Sequence, residues 1–380
     1  MATNPNQNRR GAPGSRLPGL IVLLNIMNFS MTDETFILGL AIACALMVVW
    51  ACKTLPAENW QMLAAIPVAK DSEGRWSGIN FTYYGLLTAN AAIVSIALLF
   101  IFITALHIPL AGVLILIITE LALCLPSAKL IARIVEKKEC TFTVAGAFFV
   151  GLVTLPWAIV LVNWLMGDRI GVTIPVTPAM AAICIAYAFG EGLGRLACIS
   201  FGCCYGKPLS QYPSFVQRIF ERWHFVFSGK TKKIAYASGL EGERVLPIQA
   251  ITSVLYLCTG LATTQFFLRA DYTTALVTAV VVTQGWRVVS EAFRADYRGA
   301  SRLSAYQAMG LLSLPYAMWL PTFFPSVPPS PPTIAIGVQS LWNPWVVLFL
   351  QGLWLTLFVL FGKSMVTGSA ISFHLHEDRI

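Results

Sequence analysis

Charge is what this chain has least of. Only 12% of its 380 residues are Asp, Glu, Lys or Arg, about half the roughly 25% carried by soluble domains. A chain so poor in charge cannot cover a folded surface with polar groups in water, which excludes an ordinary soluble fold and makes lipid the solvent. Histidine is scarcer still, at four residues (His107, His224, His374, His376). The nine cysteines, at 44, 52, 124, 140, 184, 198, 203, 204 and 258, are scattered through apolar stretches and their ends with no metal-ligand spacing. They read as buried thiols, and neither a metal nor a cofactor is expected. No internal repeat stands out, so the inverted-repeat architecture of many transporters gains no support. The run from Leu17 to Phe29 is too short to span and lacks a small-residue cleavage site; it is read as lying along the membrane interface.

What is present is hydrocarbon. Hydrophobic residues make up 57% of the chain, and the mean hydropathy is +0.70. Several apolar stretches approach or exceed the roughly 20 residues that cross a bilayer core. They are continuous rather than alternating, which selects helices over a barrel. The expected fold is an all-α polytopic transmembrane bundle of about nine helices, near 36–55, 84–106, 109–134, 143–166, 179–201, 247–267, 273–294, 304–321 and 342–363. His107-Ile108-Pro109 makes a tight turn between the second and third. The third leaves the hydrocarbon near Pro126, with Lys129 and Arg133 at the water interface. The segment 202–246 is the one substantial loop, and a Pro-rich turn at 321–332 precedes the last helix.

The net charge of +8 sits mostly in loops between apolar runs, which is a membrane pattern and not a nucleic-acid footprint. Tryptophans and tyrosines near helix ends, such as Trp60, Trp76, Tyr83, Trp164, Trp342 and Trp345, read as interface anchors, and Lys230, Lys232 and Lys233 as solvated or lipid-touching. Counted on alternate sides, nineteen Lys and Arg fall with the 202–246 loop and five (9, 10, 16, 169, 269) on the other side. That bias places the loop inside the cell.

Charged groups inside spans are costly and each is a functional hypothesis. Here they are Glu120, Glu191, Arg195, Arg287, Glu291 and Arg294. Glu191 and Arg195 are spaced i,i+4, and Arg287, Glu291 and Arg294 are spaced i,i+4,i+7, so each set lines one helical face. Intra-helix salt bridges are the plain alternative. The second set keeps a positive surplus, however, and arginine's planar fork suits a phosphate. Glu120 stands alone on an apolar face, as a neutral acid bonded to a neighbouring helix. Gly202 and Gly206 bracket a turn where backbone N–H groups could approach an anion.

The segment Gly194-Arg195-Leu-Ala-Cys-Ile-Ser-Phe-Gly202-Cys-Cys-Tyr-Gly206-Lys resembles the signature of bacterial prolipoprotein diacylglyceryl transferases, in a Gly-Cys-Cys-Tyr-Gly variant. Leu246-Pro247-Ile-Gln249 is similar to the family's His-Pro-x-Gln element, and Gly285-Trp-Arg287-Val-Val-Ser-Glu291-Ala-Phe-Arg294 to its Gly-x-Arg-Phe-x-x-Glu-Phe-x-Arg stretch. Ser304-Ala-Tyr-Gln307 matches its Ser-x-x-Gln, and Tyr84-Gly85 its Tyr-Gly opening. The likenesses run in the family's order from about 84 to 313.

The departures are specific. The family's His-Gly-Gly element has no histidine counterpart near 143–151. Its signature Asn and Glu are Cys198 and Cys203 here, and the His, Tyr and Glu of His-Pro-x-Gln-Leu-Tyr-Glu are Leu246, Ile251 and Thr252. The resemblance implies an inner-membrane enzyme with a seven-helix core over 84–321. The segments 1–35 (polar, interfacial), 36–83 (extra helix and loop) and 322–380 (Pro-rich loop, extra helix and tail) lie outside that core.

The implied reaction moves diacylglyceryl from phosphatidylglycerol to a lipoprotein-precursor cysteine, with no nucleic-acid partner. Arg195, Arg287 and Arg294 would hold the phosphate and Glu291 would orient them. Tyr84 would bond the headgroup, Gly206 would allow close backbone approach, and Gly202, Gln249 and Gln307 would complete the binding set. Glu191 is the nearest candidate base. Cys203 and Cys204 invite a protein-bound intermediate, though packing is the plainer reading. The family's orientation puts the signature at the outer face, against the Lys/Arg bias. The same scaffold on another lipid or acceptor, and a non-enzymatic lipid-binding or transport protein, are the alternatives.

Overall fold

A computed structural model describes residues 32–58, 61–74, 76–136, 144–171, 173–295, 304–325, 331–364 and 378. The interfacial reading of 17–29, Trp60 and Cys140 lie outside the described residues. All nine expected long helices are found among the described residues. They are α1 (Asp33–Thr54), α2 (Tyr83–Ala105), α3 (Leu110–Glu136), α4 (Val144–Ile170), α5 (Val176–Phe201), α8 (Ile248–Leu268), α9 (Tyr272–Ser290), α10 (Ala305–Phe323) and α12 (Pro344–Gly362). Seven of them are long and apolar enough to cross a membrane. The other two, α9 and α10, fall outside that set; α9 carries four threonines, Gln284 and Arg287. The chain is a multi-pass membrane protein.

The helix ends follow local chemistry. Thr32 caps α1 by accepting from the Thr35 N–H at 3.2 Å, with Asp33 and Glu34 in the first turn and Lys53 in the last, which satisfies an orphan donor and complements the helix dipole. Asp271 caps α9, and Ser304 with Gln307 forms a full capping box on α10. The expected turn at 107–109 is tight, with His107 in the left-handed region at φ 64°. Pro126 lies inside α3, which continues to Glu136.

The bundle is arranged around α5. In α5, 72% of the span is buried inside the protein, against 22% in α1 and 17% in α12. Helices α2, α8 and α9 pack on α5, α10 packs on α9, and α12 closes on α2 through a Gly85–Gly362 contact, the small-residue approach typical of membrane helices. The outer helices turn apolar stripes outward, such as Leu38, Ile42, Leu46 and Val49 on α1.

Three features depart from expectation. The 36–83 region contains a β-hairpin, β1 (Met62–Lys70) against β2 (Trp76–Thr82), and Lys363–Ser364 (β5) adds a third strand to β2. The 202–246 loop is folded: α6 (Ser214–Phe220), α7 (Lys233–Ser238) and a two-residue strand pair, β3 (Phe225–Val226) with β4 (Arg244–Val245). A short helix, α11 (Ile334–Ser340), precedes α12 and packs on α2.

Lys232, expected at the solvent or lipid surface, is fully buried. Its Nζ donates to the Leu55 and Ser200 carbonyls, each at 2.9 Å. It therefore ties the C-terminal ends of α1 and α5 with a charge where helix dipoles favour a cation. Burial nevertheless pushes its pKa down to about 8, with Glu58 partly opposing.

Candidate functional site

Five of the six charged residues singled out in the sequence converge where α5, α8 and α9 meet the 202–246 loop. Glu191 and Arg195 sit one turn apart on α5 and form an ion pair. From α9, Arg287 Nη2 donates to the same Glu191 Oε1 at 3.0 Å and to Tyr187 Oη at 2.9 Å. The three charged side chains are nearly enclosed, with Glu191 9%, Arg287 12% and Arg195 13% exposed. One carboxylate between two guanidiniums leaves a positive surplus in a place where charge is expensive. The Nε–H groups of Arg195 and Arg287 are buried with no acceptor among the described residues, which leaves donors available to an anion.

These arginines border a cavity lined also by Cys204, Ile248, Gln249, Thr252, Tyr256, Ser290, Glu291 and Arg294. The room is small, about 20 Å³, enough for a single water. A phospholipid headgroup enters only if side chains or loop segments move.

Glu291 and Arg294 reach the cavity by a route that helical spacing did not suggest. Helix α9 stops at Ser290, residues Glu291–Phe293 form a 3₁₀ turn, and Arg294 is extended. The cause is tertiary pairing: Lys207 N–H donates to Phe293 O at 3.1 Å, and Ala295 N–H to Tyr205 O at 3.0 Å, with Gly206 opposite Arg294. Residues 205–207 thus pull 293–295 out of the helix and set Arg294 beside Cys204. The expected single face through Arg287, Glu291 and Arg294 is therefore replaced by a bent wall. Glu291 accepts from Ser304 Oγ, and the carboxylate that orients Arg195 and Arg287 is Glu191.

The remaining expected residues divide. Gln249 lines the cavity; its Nε2 donates to Cys203 O at 2.9 Å, and its Oε1 is buried without a partner among the described residues. Gly206 has the close backbone approach expected of it, but toward protein: a Cβ there would sit 2.4 Å from Leu246 O. Gly202 is the α5 C-cap at φ 65°, where a left-handed residue ends the helix, and it packs on Lys232. Gln307 is occupied by its capping box and by donating to Val288 O at 3.1 Å; it clamps α10 to α9 away from the cavity. Tyr84 packs against Phe201 with the rings tilted, 5.5 Å between ring centres, outside the cavity lining. Glu120 faces a second, apolar cavity of about 110 Å³ with Cys124, Phe148, Cys184 and Tyr187, and among the described residues it is not bonded to a neighbouring helix as expected.

Sequence reasoning missed Tyr187, Tyr256 and Ser290. Tyr187 had a legible signal, since it stands four residues before Glu191 and extends the i,i+4 stripe. Tyr256 donates to Thr283 O at 2.6 Å and carries no such signal.

The site and fold together define a multi-pass helical membrane protein with a buried arginine–carboxylate cluster at one end of the bundle. No family model matches the chain, and no curated protein matches it.

Proposed function

We propose that the protein is a membrane transferase of the bacterial cytoplasmic membrane, moving a diacylglyceryl group from phosphatidylglycerol to a cysteine thiol of a lipoprotein precursor. One observation carries the reading. Guanidiniums from two separate helices, Arg195 and Arg287, meet on Glu191 at the wall of a cavity that Arg294 also lines, and the Nε–H groups of Arg195 and Arg287 are buried with no acceptor among the described residues. The order of the motifs from Tyr84 to Gln307 supports it.

In this reading the acceptor sulfur forms a bond to the glyceryl carbon while the carbon–oxygen bond to phosphate breaks. The electron pair leaves with glycerol phosphate, and the thiol proton passes to water. Charge develops on the phosphate oxygens, where positioned donors act most strongly. Arg195, Arg287 and Arg294 hold that phosphate. Glu191, its Oε1 already shared by two guanidiniums, is a positioning residue and a poor base. The same positive field favours the acceptor thiolate, so transfer does not require a dedicated histidine.

A second reading, the same scaffold on another lipid or acceptor, is favoured by the lining: Thr252 stands where the family has Glu, and among the described residues no histidine borders the cavity. The test is complementation of a bacterium depleted of its own diacylglyceryl transferase, with labelled phosphatidylglycerol and a lipobox peptide assayed in parallel. Growth and labelled peptide are expected. Failure of both, with the protein inserted, removes the transferase reading in favour of the second.

A further inference from the structure

We propose that Cys198, Cys203 and Cys204 form a binding site for one thiophilic metal ion, Zn²⁺. The three Sγ atoms lie within 4.8 Å of one another. An ion bonded at about 2.3 Å to each sulfur requires them roughly 3.8–4.0 Å apart, so closing the site takes side-chain shifts under about 1 Å. Among the described residues this is the one group of three such ligands, although the sequence holds nine cysteines.

The fold gathers the three sulfurs through a helix end and a turn. Helix α5 ends in a left-handed Gly202, the Cys203 N–H turns back to Cys198 O at 3.1 Å, and Cys204 itself is left-handed at φ 56°. A non-glycine residue in that region is uncommon. The effect is to lay two vicinal sulfurs over a third that lies a turn earlier on the helix. Gln249 fastens the turn from α8 through Cys203 O. Its own Oε1 is buried with no partner among the described residues, and Gln249 lines the same cavity as Cys204, so an unused oxygen acceptor belongs to a residue that shares the cavity wall with the cluster.

Charge agrees with the chemistry. Three thiolates with Zn²⁺ carry one net negative charge, and with Cu⁺ two. Arg195 Nη1 is 4.0 Å from Cys198 Sγ, and Arg294 lines the same wall, so the surroundings suit an anionic thiolate complex. Soft thiolates select zinc or copper over the hard cations.

The site goes beyond the transferase reading and fails separately from it, because its readout is metal content. The full chain, purified in detergent and kept reduced, is loaded with Zn²⁺ alone, passed through gel filtration and measured for zinc. Stoichiometric zinc is expected. Cys198→Ser and Cys203→Ser are each expected to weaken binding by more than the roughly 10–100-fold that losing an outer partner costs. Cys44→Ala, Cys52→Ala, Cys124→Ala, Cys184→Ala and Cys258→Ala combined leave it unchanged. In the unmutated protein, zinc shields Cys198, Cys203 and Cys204 from a thiol reagent, located by peptide mapping, which covers the case in which a variant does not fold. Sub-stoichiometric zinc, or shielding that falls on other cysteines, overturns the proposal. Zinc retained by a protein with no transfer activity sinks the transferase reading alone.

Discussion

Glu191 is the residue on which the cluster's balance depends. It accepts from Arg195 on its own helix and from Arg287 on α9, so Glu191→Leu removes the carboxylate that pairs two buried guanidiniums. Removing one partner of a buried ion pair typically costs about 3–5 kcal/mol, and a fall of that size in detergent-solubilised stability is expected on thermal unfolding. Arg287→Ala asks a different question. It leaves the Glu191–Arg195 pair standing, so the protein remains inserted while transfer drops by about 10²–10³-fold, the usual cost of losing one transition-state donor. Near-normal turnover would remove the phosphate role. Lys232 makes a pH prediction. Burial lowers its folded pKa to about 8 from 10.5, so between those values the unfolded chain binds the extra proton and stability rises with pH. Below about 8 the full cost of the buried charge is present; above 10.5 it is gone. Melting from pH 7 to 10.5 should therefore show a rise in the unmutated protein that Lys232→Met lacks.

At the scale of elements, the short pairing of 205–207 with 293–295 decides where α9 ends and where Arg294 stands. Gly206→Ala drives a Cβ to 2.4 Å from Leu246 O, and overpacking of this kind costs about 1–3 kcal/mol. Loss of both stability and transfer is expected, with Arg294 displaced; unchanged activity in the Gly206→Ala variant would show the pairing to be dispensable. The Ser-x-x-Gln motif has a physical meaning that sequence likeness alone left open: it is the α10 capping box, and Ser304 also donates to Glu291. Gln307, expected in the binding set, takes part in fixing that helix start and bonds Val288 O.

For the whole molecule, the transferase reading dictates which side of the membrane carries the site. The C-terminal ends of α1, α5 and α9 and the N-terminal ends of α8 and α10 share one end of the bundle, joined through Lys232, Gln249, the 205–207 pairing and the Ser304–Glu291 bond. The transferase reading requires that end outside, whereas the basic loops favour inside. Phe215 on α6 is 66% exposed and stands at that end; Arg269 closes α8 at the other. A membrane-impermeant maleimide applied to intact cells is expected to label Phe215→Cys and spare Arg269→Cys. The reverse pattern would count against transfer to emerging precursors.

The amino-acid sequence by itself determined the solvent, the long helices to within about five residues at each end, and the polar residues worth suspecting, because hydrophobic length and i,i+4 spacing are local properties. Tertiary structure decided the rest. A hairpin strand finds its third partner at Lys363–Ser364, far along the chain. A lysine in a basic loop becomes a buried tie between helix ends, the last turn of α9 unwinds to pair with a loop, and Glu191 is shared across two helices. Each of these depends on contacts between segments far apart in the chain, and no periodicity along one segment encodes what will lie across from it.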